Sequence, residues 1–210
     1  MGTTVETQAV RMNARNLGKL GIWLFILSEI LLFGGFLSSY VTLRLGSPAC
    51  RLGEPAWPQA GYTGGVLMAT LNTLVLITSS YTVVRSLAAT RAGNREAFRA
   101  NMLATVLLGG AFILVKAFEY SAKIHHGYTM GSEFIAANPG LGIFVSFYYA
   151  LTGLHALHVI AGMIWNSLLW RAAGGVAMDD RFARKVEFAG LYWHFVDIVW
   201  VFLFPLFYLI

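Results

Sequence analysis

Two ionisable side chains, His194 and Asp197, stand in the otherwise apolar segment 192–200 near the end of the chain. An ionisable group within hydrocarbon is costly, so such residues usually pair and usually have a function. Their spacing of three places both side chains on one face of a helix, where they could share a proton or a hydrogen bond. We therefore expect this face to contact protein rather than lipid.

Five more ionisable residues interrupt apolar segments: His155 and His158 are three residues apart, Lys116 and Glu119 likewise, and Glu29 stands alone. A rise of about 1.5 Å per residue converts these positions into depths in a membrane, and the depths predict two polar layers. The inner layer comprises Glu29, His155, His158, His194 and Asp197. The outer layer is the pair Lys116 and Glu119, which we expect to form an ion pair or to snorkel towards the outer interface.

Histidine and aspartate are metal ligands, so a metal-dependent membrane enzyme is one interpretation of the inner layer. A membrane di-metal oxygenase would carry several histidine boxes, whereas this chain has a single HxxH at 155–158. Cys50 is the only cysteine and is interpreted as a free loop thiol, which leaves no disulfide and no CxxCH haem motif. Histidines hydrogen-bonded between helices are the preferred interpretation, and we expect the chain to contribute no catalytic residue and to bind no metal or cofactor.

Glu29 has two interpretations. Desolvation disfavours the charged form of a lone carboxyl at mid-depth, so we expect it to be mainly protonated at neutral pH. It is then either a proton-active or lipid-contacting carboxyl, or a neutral acid that joins two helices. Our first choice for its hydrogen-bonding partner is His194, which lies in the same predicted layer.

The composition identifies the elements that must position these residues. Of the 210 residues, 57% are hydrophobic and 12% charged, against about 25% charged in a soluble domain. Five stretches reach the roughly 20 residues needed to cross a bilayer. They are residues 18–43, 62–87, 102–122, 141–170 and 188–210. The chain is therefore predicted to be all-α, a single membrane domain (1–210) of five transmembrane helices.

Most of the 15 Lys and Arg residues lie before the first predicted helix or around the second-to-third and fourth-to-fifth loops. The positive-inside rule then predicts a cytoplasmic N-terminus and an outside C-terminus. Residues 1–17 lack the apolar core of a cleaved signal, so we expect the first helix to remain as an anchor. Because the charge follows topology, it does not indicate nucleic-acid binding. Arg171, at the end of the fourth helix, is a candidate contact for a lipid headgroup.

Several segments together carry a family resemblance. They are residues 23–29 with Phe33, 72–73 with 79–80, 109–112 with 119–120, LTGLHALHVIAG at 151–162, and YWHFVDIVW at 192–200. The last two are the most specific. Over essentially its full length the chain resembles subunit III of the haem–copper respiratory oxidases in the five-helix bacterial form, with Lys116 as a departure.

The resemblance implies an accessory subunit of a proton-pumping oxidase in the bacterial inner membrane, without redox centres of its own. It implies packing against catalytic subunit I, which holds the haems and copper, with subunit II in the same complex. It also implies stabilisation of subunit I, support of proton uptake, and a structural phospholipid bound in a cleft. Glu29 matches the family's carbodiimide-reactive carboxyl. We expect the association to be permanent and to use early-helix residues such as Gly34, Gly35 and Ser38.

Two alternatives stay open beside the metal enzyme, and so does the electron donor of the oxidase. An accessory membrane subunit of a nitric oxide reductase belongs to the same superfamily. A solute transporter would need a continuous polar path, and the apolar residues 113–115 between the two layers argue against one. Whether the electron donor is cytochrome c or a quinol is decided by subunit II.

Overall fold

The computed structural model describes residues 2–46, 65–129, 131–132 and 139–209, and the side chains of all of these except residues 2–16 and 139. The helices are α1 (Gly2–Gly46), α2 (Val66–Arg91), α3 (Arg95–His125), α4 (Pro139–Ala172) and α5 (Asp180–Phe204), which continues as a π-helical turn, Pro205–Leu209. Each contains a stretch long and apolar enough to cross a membrane. The described ranges contain no strand, so the prediction of an all-α bundle of five membrane helices is confirmed.

Helices α3 and α5 begin earlier than hydropathy predicts, at Arg95 and at Asp180. A side chain caps each of them: Asn94 and Asp179 each accept a hydrogen bond from the backbone amide three residues later, at 3.0 Å and 2.8 Å. Such caps satisfy amides that have no partner within the helix. The polar first turns therefore extend beyond the apolar spans, which are all that hydropathy detects.

The remaining helix ends also differ from the predicted ones. Helix α2 runs to Arg91 rather than to 87 and is followed by a three-residue turn, 92–94, in which Gly93 adopts a φ of +70°. Residues 62–64 of the second predicted helix lie outside the described residues. At the C-terminus the helix changes from α to π at Pro205, whose nitrogen has no hydrogen to donate to the preceding turn.

Helices α2 to α5 form a ring in which α3 and α5 each pack against both α2 and α4. Trp193 of α5 is fully buried at its centre. A Cβ atom added at Gly109 of α3 or Gly162 of α4 would lie 2.8 Å or 2.7 Å from the Trp193 ring, so only glycine fits at either position. The indole N–H donates to Ser79 Oγ of α2 at 2.9 Å. One indole therefore contacts the three other helices of the ring.

Helix α1 lies outside the ring and packs chiefly against α4 and α5. Ile26, Phe33 and Tyr40 recur every seven residues and form its buried stripe. The Phe33 ring lies 5.5 Å from the His158 ring of α4 and 6.4 Å from the Phe195 ring of α5. Most other apolar side chains of α1 from Leu17 onwards are exposed.

Candidate functional site

Glu29 pairs with His158, not with His194 as we expected. Glu29 Oε2 lies 3.2 Å from His158 Nε2, within ion-pair distance, although the groups lack the alignment of a directed hydrogen bond. His158 Nδ1 lies 2.8 Å from the Leu154 carbonyl oxygen, so Nδ1 carries a hydrogen and donates it. Nε2 therefore remains as the ring nitrogen that faces the Glu29 carboxyl, and the contact joins α1 to α4.

His194 is engaged by α2 instead. Its Nδ1 is hydrogen-bonded to Ser80 Oγ. No hydrogen bond or ion pair joins it to Asp197 among the described residues, so the hydrogen bond that the spacing would allow is not formed. Asp197 is buried and lies beside the same Ser80 hydroxyl, although neither carboxylate oxygen is aligned with it in a directed hydrogen bond. His194 and Asp197 mark the contact between α2 and α5.

His155 lies in the aromatic core, apart from the other inner-layer residues. Its ring stacks on Trp200 at 5.2 Å and meets the edge of Phe112 at 5.5 Å. Neither ring nitrogen has a hydrogen-bonding partner among the described residues. The hypothesis that such histidines bond between helices is therefore wrong for His155.

The predicted inner layer is thus three separate groups: the Glu29–His158 pair, the enclosed His155, and His194 and Asp197 beside α2. Within the described ranges no three His, Cys, Asp or Glu side chains are close enough together to hold a metal ion. This arrangement gives the metal-enzyme interpretation no support.

Lys116 and Glu119 form an ion pair, with Lys116 Nζ 2.9 Å from Glu119 Oε2. Lys116 is 4% exposed, so it does not snorkel. It donates to the hydroxyls of Tyr208 at 2.6 Å and Tyr148 at 3.2 Å, and these hydroxyls donate to Glu119 Oε1. Lys123 Nζ lies 3.2 Å from the same oxygen. These five residues, the Lys116 network, tie α3 to α4 and to the π-helical turn.

Aromatic rings enclose the Lys116 ammonium, with centroids 5.0 to 5.6 Å away. They belong to Trp200, Tyr148, Tyr208 and Tyr120. Sequence reasoning missed the tyrosines and Lys123. The pairing of Lys123 with Glu119 could have been predicted, because Lys123 lies one helical turn after Glu119. The contacts of the tyrosines on other helices could not be predicted from spacing.

A cavity of about 540 Å³ adjoins the Lys116 network at the ends of α2, α3 and α4. Its walls are mainly apolar and include Met68, Phe118 and Phe144, while Lys123 and His126 supply basic groups. Arg171 is far along the chain from this cavity, exposed in the last turn of α4. The cavity can accommodate part of an amphiphile.

Comparison with known proteins places these helices in a family. The family model described as cytochrome c oxidase subunit III matches residues 4–210. The chain is 33% identical to a protein named cytochrome c oxidase subunit 3 from Alkalihalophilus pseudofirmus, covering 90% of this chain and 85% of the relative. It is 30% identical to a probable quinol oxidase subunit 3 of Staphylococcus epidermidis, covering 100% and 97%.

A third relative has a different architecture. The chain is 31% identical to a protein of Aeropyrum pernix named heme-copper oxidase subunit I+III, with 90% of this chain covering 22% of that protein. The family match therefore extends over nearly the whole chain and agrees with the five membrane helices. The chain belongs to the cytochrome c oxidase subunit III family, as an accessory, non-catalytic subunit of a haem–copper oxidase.

Proposed function

We propose that this subunit associates permanently with catalytic subunit I, stabilises it during turnover, and shares the complex with subunit II. The observation that carries the proposal is the relative named subunit I+III, because one chain keeps both parts together. The exposed apolar surface of α1 supports it, since the other four helices cover only one stripe of that helix. The haems and copper then belong to partner subunits.

Support of proton uptake is the second part of the proposal. Glu29 and His158 lie between α1 and α4, 3.2 Å apart, and each side chain is 16% exposed. We infer that the pair holds α1 against the bundle and so stabilises the surface where protons enter subunit I. On this account the pair is structural and carries no pumped proton.

A structural phospholipid is the third part. The cavity beside the Lys116 network combines apolar walls with two basic groups, His126 and Lys123, the second of which also pairs with Glu119. This combination matches an acyl chain and an anionic headgroup. Arg171, exposed at the end of α4, is a second candidate for a headgroup contact. Lipid extraction from the purified complex, followed by mass spectrometry of wild type and Lys123→Gln, tests the cavity. Equal retained lipid in both proteins contradicts it.

We place the subunit in the bacterial plasma membrane with a cytoplasmic N-terminus. Exposed Arg91, Arg95 and Arg99 flank the turn between α2 and α3, and Arg181 and Lys185 lie in the first turns of α5. These basic groups gather on the side of the membrane that the positive-inside rule assigns to the cytoplasm.

Copurification tests the proposed association. The tagged chain, extracted from native membranes in mild detergent, is expected to carry a larger polypeptide and the haem absorption of the oxidase. An unrelated tagged multi-pass protein from the same cells is the control. Recovery of the chain as a stable, functional monomer without haem contradicts the proposal.

A further inference from the structure

The outward strip of α5 forms the floor of a groove between α1 and α2. Helix α5 contacts α1 through Tyr192 and Phe195, and it contacts α2 through Trp193, His194 and Trp200. Between these two sides, the side chains in the middle of the strip are at least half exposed. They are Ile198 (55%), Val201 (50%) and Phe202 (61%).

The two walls of the groove have different chemistry. On α2, Ile77 and Val84 lie one turn either side of Ser80 and are exposed. On α1, Ser38 lines a depression of about 440 Å³ together with Phe202. Gly34 lies four residues before Ser38 on the same helix face, and no atom lies within 4 Å of where its Cβ would be. Two small residues one turn apart let another helix approach closely.

We name this surface the α5 groove and define it by Gly34, Ser38, Ser80, His194 and Val201. Its distinguishing feature is the imidazole of His194, seven residues and so about 10 Å along α5 from Glu187, which pairs with Lys19 and Arg91 at the polar end of the helix. His194 is only half-buried, and within the described structure its Nε2 has no hydrogen-bonding partner. Acyl chains offer no hydrogen bond at this depth, so an imidazole facing them is costly.

The outward faces of α3 and α4 lack such a group in the apolar middle of each helix. Exposed side chains in the apolar middle of α3 and α4 are mainly aliphatic or aromatic, including Leu107, Leu114 and Phe118 on α3 and Leu157 and Ile164 on α4. The exposed serines of α1 that are bonded, Ser28 and Ser39, donate to carbonyls of their own helix. Those faces suit lipid, whereas the α5 groove requires a partner with a polar group.

We propose that the α5 groove receives a transmembrane helix of the catalytic subunit, and that this helix presents a hydroxyl or amide side chain to His194 in the inner half of the membrane. The inference rests on the proposed permanent association with that subunit and names the surface that makes it. A helix satisfies both features of the groove at once. Its backbone can approach Gly34 and Ser38 closely, and its side chain can hydrogen-bond to Nε2.

Site-specific photo-crosslinking in cells that make the whole oxidase tests the surface. A benzophenone amino acid replaces Val201 in the groove or, as the matched control, Leu114 on the outward face of α3 (63% exposed). The expected result is a crosslink from position 201 to the catalytic subunit and only lipid adducts from position 114. Lipid adducts alone from position 201, or a crosslink to a second copy of this chain, would overturn the proposal.

Two bulky substitutions give a second readout. Val201→Trp is expected to reduce the haem that copurifies with the tagged chain at least tenfold, because the indole occupies the groove. Leu114→Trp is expected to leave it unchanged. Haem retention equal to wild type in Val201→Trp would contradict the inference; if that variant fails to accumulate in membranes, the crosslink from position 201 decides.

The experiments distinguish an error in the proposed surface from an error in the proposed association with the catalytic subunit. If the wild-type chain purifies with haem but position 201 reacts only with lipid, the association holds and the α5 groove is wrong. If the wild-type chain purifies without haem or a larger subunit, the proposed association itself is wrong, and the groove proposal with it.

Discussion

At the scale of single residues, the direction in which a side chain points around its helix decides which polar group it contacts. His155 and His158 are one turn apart on α4, yet His155 points into the aromatic core while His158 faces Glu29 of α1. Residues three apart point about 60° apart around a helix, which is enough for two different neighbouring helices to contact them. Similar residue types at similar depth therefore do not make one site here.

Trp193 packs directly against two glycines, Gly109 and Gly162. Gly162→Ala is expected to lower the free energy of unfolding by about 1–3 kcal/mol, the usual cost of overpacking, because the new methyl group would lie 2.7 Å from the indole. Thermal unfolding of the purified protein in detergent measures the change. Gly190→Ala on α5 is the matched control, since no atom lies within 4 Å of its added Cβ. Equal stability of the two variants would show that Trp193 can move aside.

Glu29 offers a test of the structural role of its pair. Glu29→Gln keeps the size and a hydrogen-bond donor, so assembly and most oxidase activity should be preserved. Glu29→Leu leaves His158 Nε2 without its neighbour and should cost about 1 kcal/mol of stability. Detergent unfolding midpoints and oxygen consumption of the complex report the two effects.

The partner residue provides the control for this pair. In a His158→Leu background the further change Glu29→Leu should cost less than it does alone, as expected for coupled residues. If Glu29→Gln assembles normally yet abolishes proton pumping, the structural interpretation fails and Glu29 carries protons directly.

At the scale of helices, the sequence was sufficient for their number and approximate position. Hydropathy identifies the segments that hydrocarbon stabilises, and the five spans follow from it. It contains no information about which helix lies beside which. The position of α1 outside the ring depends on packing around Trp193 and along Phe33, and the pairing of Glu29 with His158 follows from that position. Sequence reasoning therefore located the polar residues but chose the wrong partner.

The Lys116 network ties three elements together and makes a testable contribution to stability. Lys116→Met leaves the buried Glu119 carboxylate with only one cation, Lys123, at 3.2 Å. We expect a loss of about 3 kcal/mol, the low end of the cost of breaking a buried pair, because Lys123 remains. Unfolding of the purified protein by heat or denaturant measures it.

The double variant separates charge from packing. Lys116→Met with Glu119→Gln removes both charges, so it should recover part of the stability that the single variant loses. Tyr208→Phe, which deletes one hydroxyl from the network, should cost only about 1 kcal/mol. A double variant no more stable than Lys116→Met alone would show that the Lys116 side chain stabilises the bundle by packing and not by its charge.

At the scale of the whole molecule, orientation in the membrane can be tested with the only cysteine. Cys50 lies outside the described residues, in the segment between α1 and α2 that we assign to the outer side. A membrane-impermeant maleimide should label it in intact cells, and Cys50→Ser is the unlabelled control. Labelling only after the cells are broken open would invert the proposed topology.

The chain separated from its complex should show no Soret band and no stoichiometric iron, copper or zinc. His155 is buried, with its ring packed against Trp200 and Phe112, so the core would have to open for iron to reach either nitrogen. His158 and His194 each use one ring nitrogen in a hydrogen bond, and they face different helices, α1 and α2. A haem or metal held by two or more of these side chains would require the bundle to rearrange. Absorption spectra and elemental analysis of the separated chain, with the intact complex as the positive control, provide the test. One equivalent of metal or haem retained by a folded, separated chain would mean that this subunit has a redox role of its own.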